Sequence, residues 1–229
     1  MVQSFKDLKV IIDHFKRFPL LTQKCADFEL FSQIFYLMEK KEHLTLEGLN
    51  KILAIKASMN LGLPLWLKAV FFNIIPAQRP NRTDEEILNS NFDPHWVVGF
   101  TAGEGCFSIA IQKSKTVKTG FQVQLRFKLT QHSKDELLMK SLITYFGCGQ
   151  VFKRSKEDKV DFQINKFVDL TDKVLPLFQK ISIQGVKSED FVDFCKVVDI
   201  MKVKGHLTVE GLDQIHIIKA GMNTGRKWL

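Results

Sequence analysis

The chain has 229 residues, 33 Lys and Arg against 25 Asp and Glu, a formal net charge of +8, and 45% hydrophobic residues. That apolar fraction excludes a disordered chain, and no apolar run is long enough to cross a membrane. The positive balance favours a polyanionic partner, nucleic acid before an anionic membrane, and Cys25, Cys106, Cys148 and Cys195 form neither a CxxC pair, a zinc pattern nor a disulfide framework.

Taken in order, the chain opens on a basic amphipathic stretch (MVQSFKDLKVIIDHFKRF) with the look of a transit peptide. That reading is set aside because the stretch is the start of a duplicated region. Residues 40–62 (KKEHLTLEGLNKILAIKASMNLG) return as residues 203–225 (VKGHLTVEGLDQIHIIKAGMNTG), with His206 lying 163 residues after His43. The same spacing pairs Lys24 with Lys187, Phe28 with Phe191 and Phe31 with Phe194, and Ser4–Leu8 pairs with 166–170 after a slip of one residue. Helices are predicted over 5–18, 24–40 and 45–60. Residues 1–62 therefore read as the trailing helices of an incomplete first repeat, 63–92 as a linker, and 93–229 as a complete second repeat.

The second repeat opens on HWVVGFTAGEGCFS, residues 95–108. Asp93-Pro94 is a helix start, and Gly103-Glu104-Gly105 is a stop. Gly99 and Gly103, four residues apart, give the helix a bare face on which a second helix can pack closely. Glu104 stands at the helix C-terminus, where carbonyls already concentrate negative charge, a setting that suits a hard divalent cation. A strand is predicted from Cys106 to Lys113, a basic turn to residue 120, and a second strand over 121–130 (FQVQLRFKLT). Then come a helix over 133–145 capped by Ser133, a hairpin of 150–154 and 159–165, and helices over 167–178, 188–202 and 208–223. The fold class is α+β, an α-β-β-α-β-β-α unit with extra helices.

The strands have one apolar face and one polar face. The polar face carries Ser108, Ala110 and Gln112; Gln122, Gln124, Arg126, Lys128 and Thr130; Gln150 and Arg154; and Lys159, Asp161, Gln163 and Asn165. Amides and a guanidinium on one face are the groups that read base edges in a major groove, which a β-ribbon can enter. The Lys-rich turns at 113–118 and 153–159 are placed to meet phosphates. His43 and His206 begin repeated helical segments and read as capping or packing residues.

On these residues VVGFTAGEGCF resembles the signature helix of the LAGLIDADG homing endonucleases, and the duplication and strand pattern resemble their single-chain, two-repeat members. The resemblance implies an antiparallel DNA-binding sheet over a long double-stranded site. It implies Glu104 as the catalytic and metal-binding acid, the Gly103 carbonyl as a further ligand, Gly99 and Gly103 as the helix–helix interface, and Mg2+ or another divalent cation as cofactor. The basic residue near the scissile phosphate stays open among Lys128, Lys153 and Arg154. The first repeat's signature helix, acid and strands are not found, so a second chain or an N-terminal segment is expected to supply the other helix. It also implies an intron-encoded protein of the mitochondrion. A non-catalytic maturase that binds intron RNA, and a degenerate DNA-binding remnant, are the alternative readings.

Overall fold

The chain divides into two units, Met1–Ile87 and Leu88–Leu229. The structure, a computed structural model, describes residue 2 and residues 4–226. In the first unit α1 (Phe5–Arg17) begins at Ser4, whose hydroxyl accepts the Asp7 N–H at 3.1 Å. α2 (Lys24–Glu39) and α3 (Leu46–Ala57) follow, and Ile12, Leu30, Phe35 and Leu53 are buried among the three helices. α4 (Leu65–Val70) and α5 (Asp84–Leu88) are short, and α5 crosses the boundary between the units. The chain between them returns to its own unit: the Ala77 N–H bonds the Ala54 carbonyl at 2.9 Å and Arg82 Nη1 bonds the Leu21 carbonyl at 3.0 Å.

The second unit runs α6 (Pro94–Glu104), β1 (Gly105–Lys113), β2 (Phe121–His132), α7 (Glu136–Phe146), β3 (Gln150–Lys153) and β4 (Lys159–Ile164). The four strands form one antiparallel sheet in the order β1-β2-β4-β3. α8 (Phe167–Asp169), a π-helical turn (Leu170–Val174), α9 (Leu175–Lys180), α10 (Lys187–Lys202) and α11 (Val209–Ala220) follow. The apolar sheet face is buried under helices in a phenylalanine core. Phe107 lies 5.3 Å, centroid to centroid, from each of Phe127, Phe178 and Phe194, and Phe146 stacks on Phe162 at 5.7 Å.

Two expected boundaries shift for identifiable reasons. β2 runs two residues further because Gln131 and His132 pair with Val160 and Lys159. Ser133 is not the cap of the following helix: it opens a 3-10 turn, and the His132 imidazole accepts the Lys134 N–H at 3.1 Å. His43 and His206 sit in matching 3-10 turns with Nδ1 buried and unbonded, while the caps of α3 and α11 are Thr45 and Thr208, accepting from Gly48 and Gly211.

The one-residue slip in the duplication has a structural counterpart. α1 is α-helical throughout, whereas its counterpart, from Phe167 to Lys180, contains the π turn Leu170–Val174. A π turn holds one more residue than an α turn, so it absorbs a single insertion without breaking the helix. A second matched device closes each unit. Asp27 Oδ1 accepts the Asn60 N–H at 3.0 Å and Arg79 Nη1 at 2.7 Å. Asp190 Oδ1 accepts the Asn223 N–H at 2.9 Å and Arg226 Nη2 at 3.0 Å. Asn60 and Asn223 both take left-handed backbone, with φ of 47° and 53°, which Asn tolerates better than most residues. The aspartates and asparagines are duplicates, but the arginines come from unrelated positions.

Asp190→Ala leaves the Asn223 N–H without its acceptor, while Arg226 keeps Glu189 and Asp193, and is expected to lower stability by about 2 kcal/mol, read from the urea midpoint. Asp27→Ala costs less, because Arg79 is the more exposed arginine. Acid weakens the fold in two stages. Burial holds the His206 imidazole below its ordinary 6.5. Burial opposes ionisation of Asp193, but hydrogen bonds from Lys196 and Arg226 outweigh it and hold the carboxyl below 3.8. Both groups bind protons more readily unfolded, so their stabilisation is complete above those values and lost as pH falls through them. The urea midpoint should drop between about pH 7 and 5, and His206→Leu should flatten that first drop.

Candidate nucleic-acid interface and helix-end acid

α6 is positioned by its buried residues Val97, Val98 and Thr101 and starts at Asp93, whose carboxylate accepts the His95 N–H at 2.7 Å. It passes into β1 with no intervening loop. Gly105 makes that junction possible: a Cβ there would lie 2.5 Å from the Thr101 methyl and 2.6 Å from the Thr101 carbonyl oxygen. Its backbone is extended, φ −85° and ψ 162°, so the requirement is for space and not for a left-handed turn. Gly99 and Gly103 differ: both are exposed, and a Cβ on either would meet nothing within 4 Å. Gly99 lines an open groove of about 450 Å³ with His95, Val98, Ala102, Lys180, Ile181, Ser182 and Gln184.

At the same junction Lys187 Nζ donates to the Gly105 carbonyl at 2.5 Å and, more loosely, to the Gly103 carbonyl at 3.4 Å. A cation here offsets the negative end of α6. Glu104 is exposed and, among the described residues, has neither a hydrogen-bond nor an ion-pair partner. Nothing in α6 or β1 signals Lys187; the clue was its duplicate, Lys24, at the start of α2. No group of three His, Cys, Asp or Glu stands together among the described residues. The Glu104 carboxylate and the neighbouring Gly103 carbonyl are the hard oxygen donors at this helix end.

Strand register brings the polar residues together. Ser108 faces Arg126, Ala110 faces Gln124, and Gln112 faces Gln122; Lys128 faces Cys106 on one side and Gln163 on the other; Thr130 faces Asp161; Gln150 faces Gln163. Asn165 lies one residue beyond β4, exposed. Arg126 donates Nε and Nη2 to the Gln124 amide oxygen at 2.9 and 2.7 Å, which leaves the Gln124 NH2 and Arg126 Nη1 unclaimed by that pair.

Three of the expected basic residues have carboxylate partners. Arg154 is bidentate to Asp161, Nε at 2.8 Å and Nη2 at 2.9 Å, and its Nη1 bonds Glu157 at 3.2 Å. Lys159 is paired with Glu157 at 2.7 Å. Lys153 faces Val160, on the apolar side of the sheet, and lies 3.9 Å from Glu136. Of the three candidates for a basic residue beside the reacting phosphate, Lys128 alone is on the polar face without a carboxylate partner. Thr130 Oγ1 also bonds Asp161 at 2.6 Å. Burial raises the Asp161 pKa, but the Arg154 and Thr130 bonds overcome it and hold the carboxyl below its ordinary 3.8. Phe152 was unforeseen: it stands on the polar face opposite Asp161 and is 48% exposed.

A polar antiparallel sheet face beside an unpartnered carboxylate at the end of a glycine-faced helix defines a class: an α+β module with an acid at the rim of its polar surface. A model of the LAGLIDADG endonuclease family matches residues 97–198. The I-SmaMI LAGLIDADG homing endonuclease bound to cleaved DNA is 41% identical, with a TM-score of 0.92 over 99% of this chain and 74% of that one; it is also known bound to uncleaved DNA in the presence of calcium ions. The chain belongs to the LAGLIDADG homing endonuclease family. Probable intron-encoded endonuclease 3 of Neurospora crassa is 41% identical over 95% of this chain, which spans only 40% of that relative's length. A 50.9 kDa protein in ND4 intron 1 of Podospora anserina is 31% identical over 52% of this chain and 26% of its own length.

Lys187→Ala removes the side chain that ties the α6 terminus to α10. The expected loss is about 1.5 kcal/mol, with faster amide exchange at the start of β1 than in β2. Equal acceleration throughout the sheet would mean that Lys187 has no local role at the junction.

Proposed function

We propose that this chain is the DNA-reading and single-acid part of an intron-encoded, divalent-metal-dependent endodeoxyribonuclease. The observation that carries the reading is the pairing of Glu104, exposed and unpartnered at the end of α6, with the polar face that begins four residues later, at Ser108, in the strand that follows directly. The sheet face lies in a major groove. Arg126 and Gln124 present donors to base edges, Lys128 meets a phosphate, and the basic turn 113–118 follows the backbone. The assembly sets Glu104 against a scissile phosphate.

Glu104 and the Gly103 carbonyl would hold Mg2+. Such an ion supplies Lewis-acid polarisation of the phosphoryl group and a bound water of lowered pKa. Lys187 keeps the Gly105 carbonyl occupied and leaves Gly103 a free lone pair. Its ammonium also lessens repulsion between the helix end and an incoming phosphate. The bare Gly99–Gly103 face receives a second helix of the same kind, which brings the second acid; that helix comes from another chain or another segment. A gene within an intron of a fungal mitochondrial genome is supported by the Podospora relative, so mitochondrial synthesis is part of the proposal.

The test uses duplex DNA spanning the uninterrupted insertion site of the intron. The full chain should bind it and, in Mg2+, nick one strand, and Glu104→Gln should bind equally but cut at least roughly a hundredfold more slowly. Cleavage unchanged in Glu104→Gln sinks the assignment. Linear product from a monomer sinks the single-acid reading, and preference for intron RNA over the duplex favours the maturase role.

A further inference from the structure

We infer that Phe152 is a specificity residue that selects thymine through its C5-methyl group at the outer end of the bound site; the inference rests on the DNA-reading function proposed above. Among the four strands Phe152 is the only large apolar side chain that is exposed. The others point into the phenylalanine core. It shares the polar face because it stands opposite Asp161, whose own neighbours along β4, Val160 and Phe162, are buried.

The polar groups around Phe152 are already committed to one another. Asp161 accepts two bonds from Arg154 and one from Thr130, so it is not an open acceptor for a cytosine amine. Arg154 spends Nε and both terminal nitrogens on Asp161 and Glu157, so it is not an open fork for guanine. The usual charged readers of G·C pairs are thus satisfied internally and form a rigid floor. What rises from that floor is one apolar ring, flanked by Gln150 in its own strand and, diagonally on β4, by Gln163, the partner of Gln150. An apolar side chain matches the thymine methyl, and an amide matches adenine N6 and N7, so the local chemistry fits A·T pairs. An exposed aromatic on an edge strand is a liability for aggregation, and a contact in the groove gives it a use.

Position in the sheet sets what Phe152 can affect. β3 lies three strands from β1, about 14 Å by ordinary strand spacing, so the thymine sits far from the phosphate at Glu104. Loss of the ring should weaken binding and leave the rate at saturating DNA unchanged.

The experiment selects duplexes from a library of randomised sequence with the full chain in calcium, then measures affinity for the selected duplex with uracil in place of each enriched thymine. Wild-type protein should bind about fourfold more weakly with uracil at one position, the value of one buried methyl. Phe152→Ser should bind the thymine and uracil duplexes alike, Phe152→Leu should restore the difference, and both variants should melt as the wild type does. Selection of one sequence whose thymine-to-uracil penalty is the same in Phe152→Ser overturns this inference and leaves DNA reading intact. Selection of no sequence at all overturns DNA reading, and this inference with it.

Discussion

The structure depends on how a helix can end and a strand begin with no loop between them. An α-helix terminates in carbonyls without intrahelical partners, and in this unit the next residue must already lie in the sheet. Gly105 has the only side chain small enough to pass Thr101, and Lys187 reaches from the start of α10 to bond the carbonyls that the turn strands. Glu104 is held between those two constraints. Its backbone is fixed by neighbours on both sides while its carboxylate stays free in solvent. Everything that defines the site follows from that junction: the acid at the rim, the polar face of the strand that follows, and the bare glycines, one beside the acid and one about a turn further back along α6.

Much of the architecture was legible because it is periodic. Two-residue alternation over residues 121–130 assigned each side chain of β2 to a face, and pairing confirmed every assignment from Gln122 to Thr130. The duplication carried the trailing helices, and even its one-residue slip had a physical counterpart in the π turn of Leu170–Val174. Contingent details were illegible. That His132 and not Ser133 caps the turn before α7 depends on where β2 stops, which pairing with Lys159 decides. The arginines that close the two units could not be aligned, because only the aspartate and asparagine of each clasp are duplicates.

The candidate site was legible as residue types and not as partnerships. Arg154 and Lys153 look alike in sequence, but a short edge strand turns one toward Asp161 and the other to the opposite side, near Glu136. Phe152 could not be foreseen, since strand three lacks the alternation that would have fixed its face. Lys187 lies more than eighty residues from Glu104 in sequence, and only its repetition as Lys24 marked it.

The Arg154–Asp161–Glu157–Lys159 cluster has a further consequence. Binding to a phosphate backbone is driven largely by the release of condensed counterions, and each protein cation contributes only if it takes a counterion's place. Arg154 and Lys159 are already neutralised by carboxylates of their own hairpin, and Lys153 lies beside Glu136. The net charge of +8 already includes those carboxylates, but the count of 33 lysines and arginines overstates the cations that this end of the sheet can offer to a phosphate backbone. On the DNA-reading function proposed above, added salt should erode binding less than a count of lysines and arginines implies, leaving a larger share to contacts that depend on base identity.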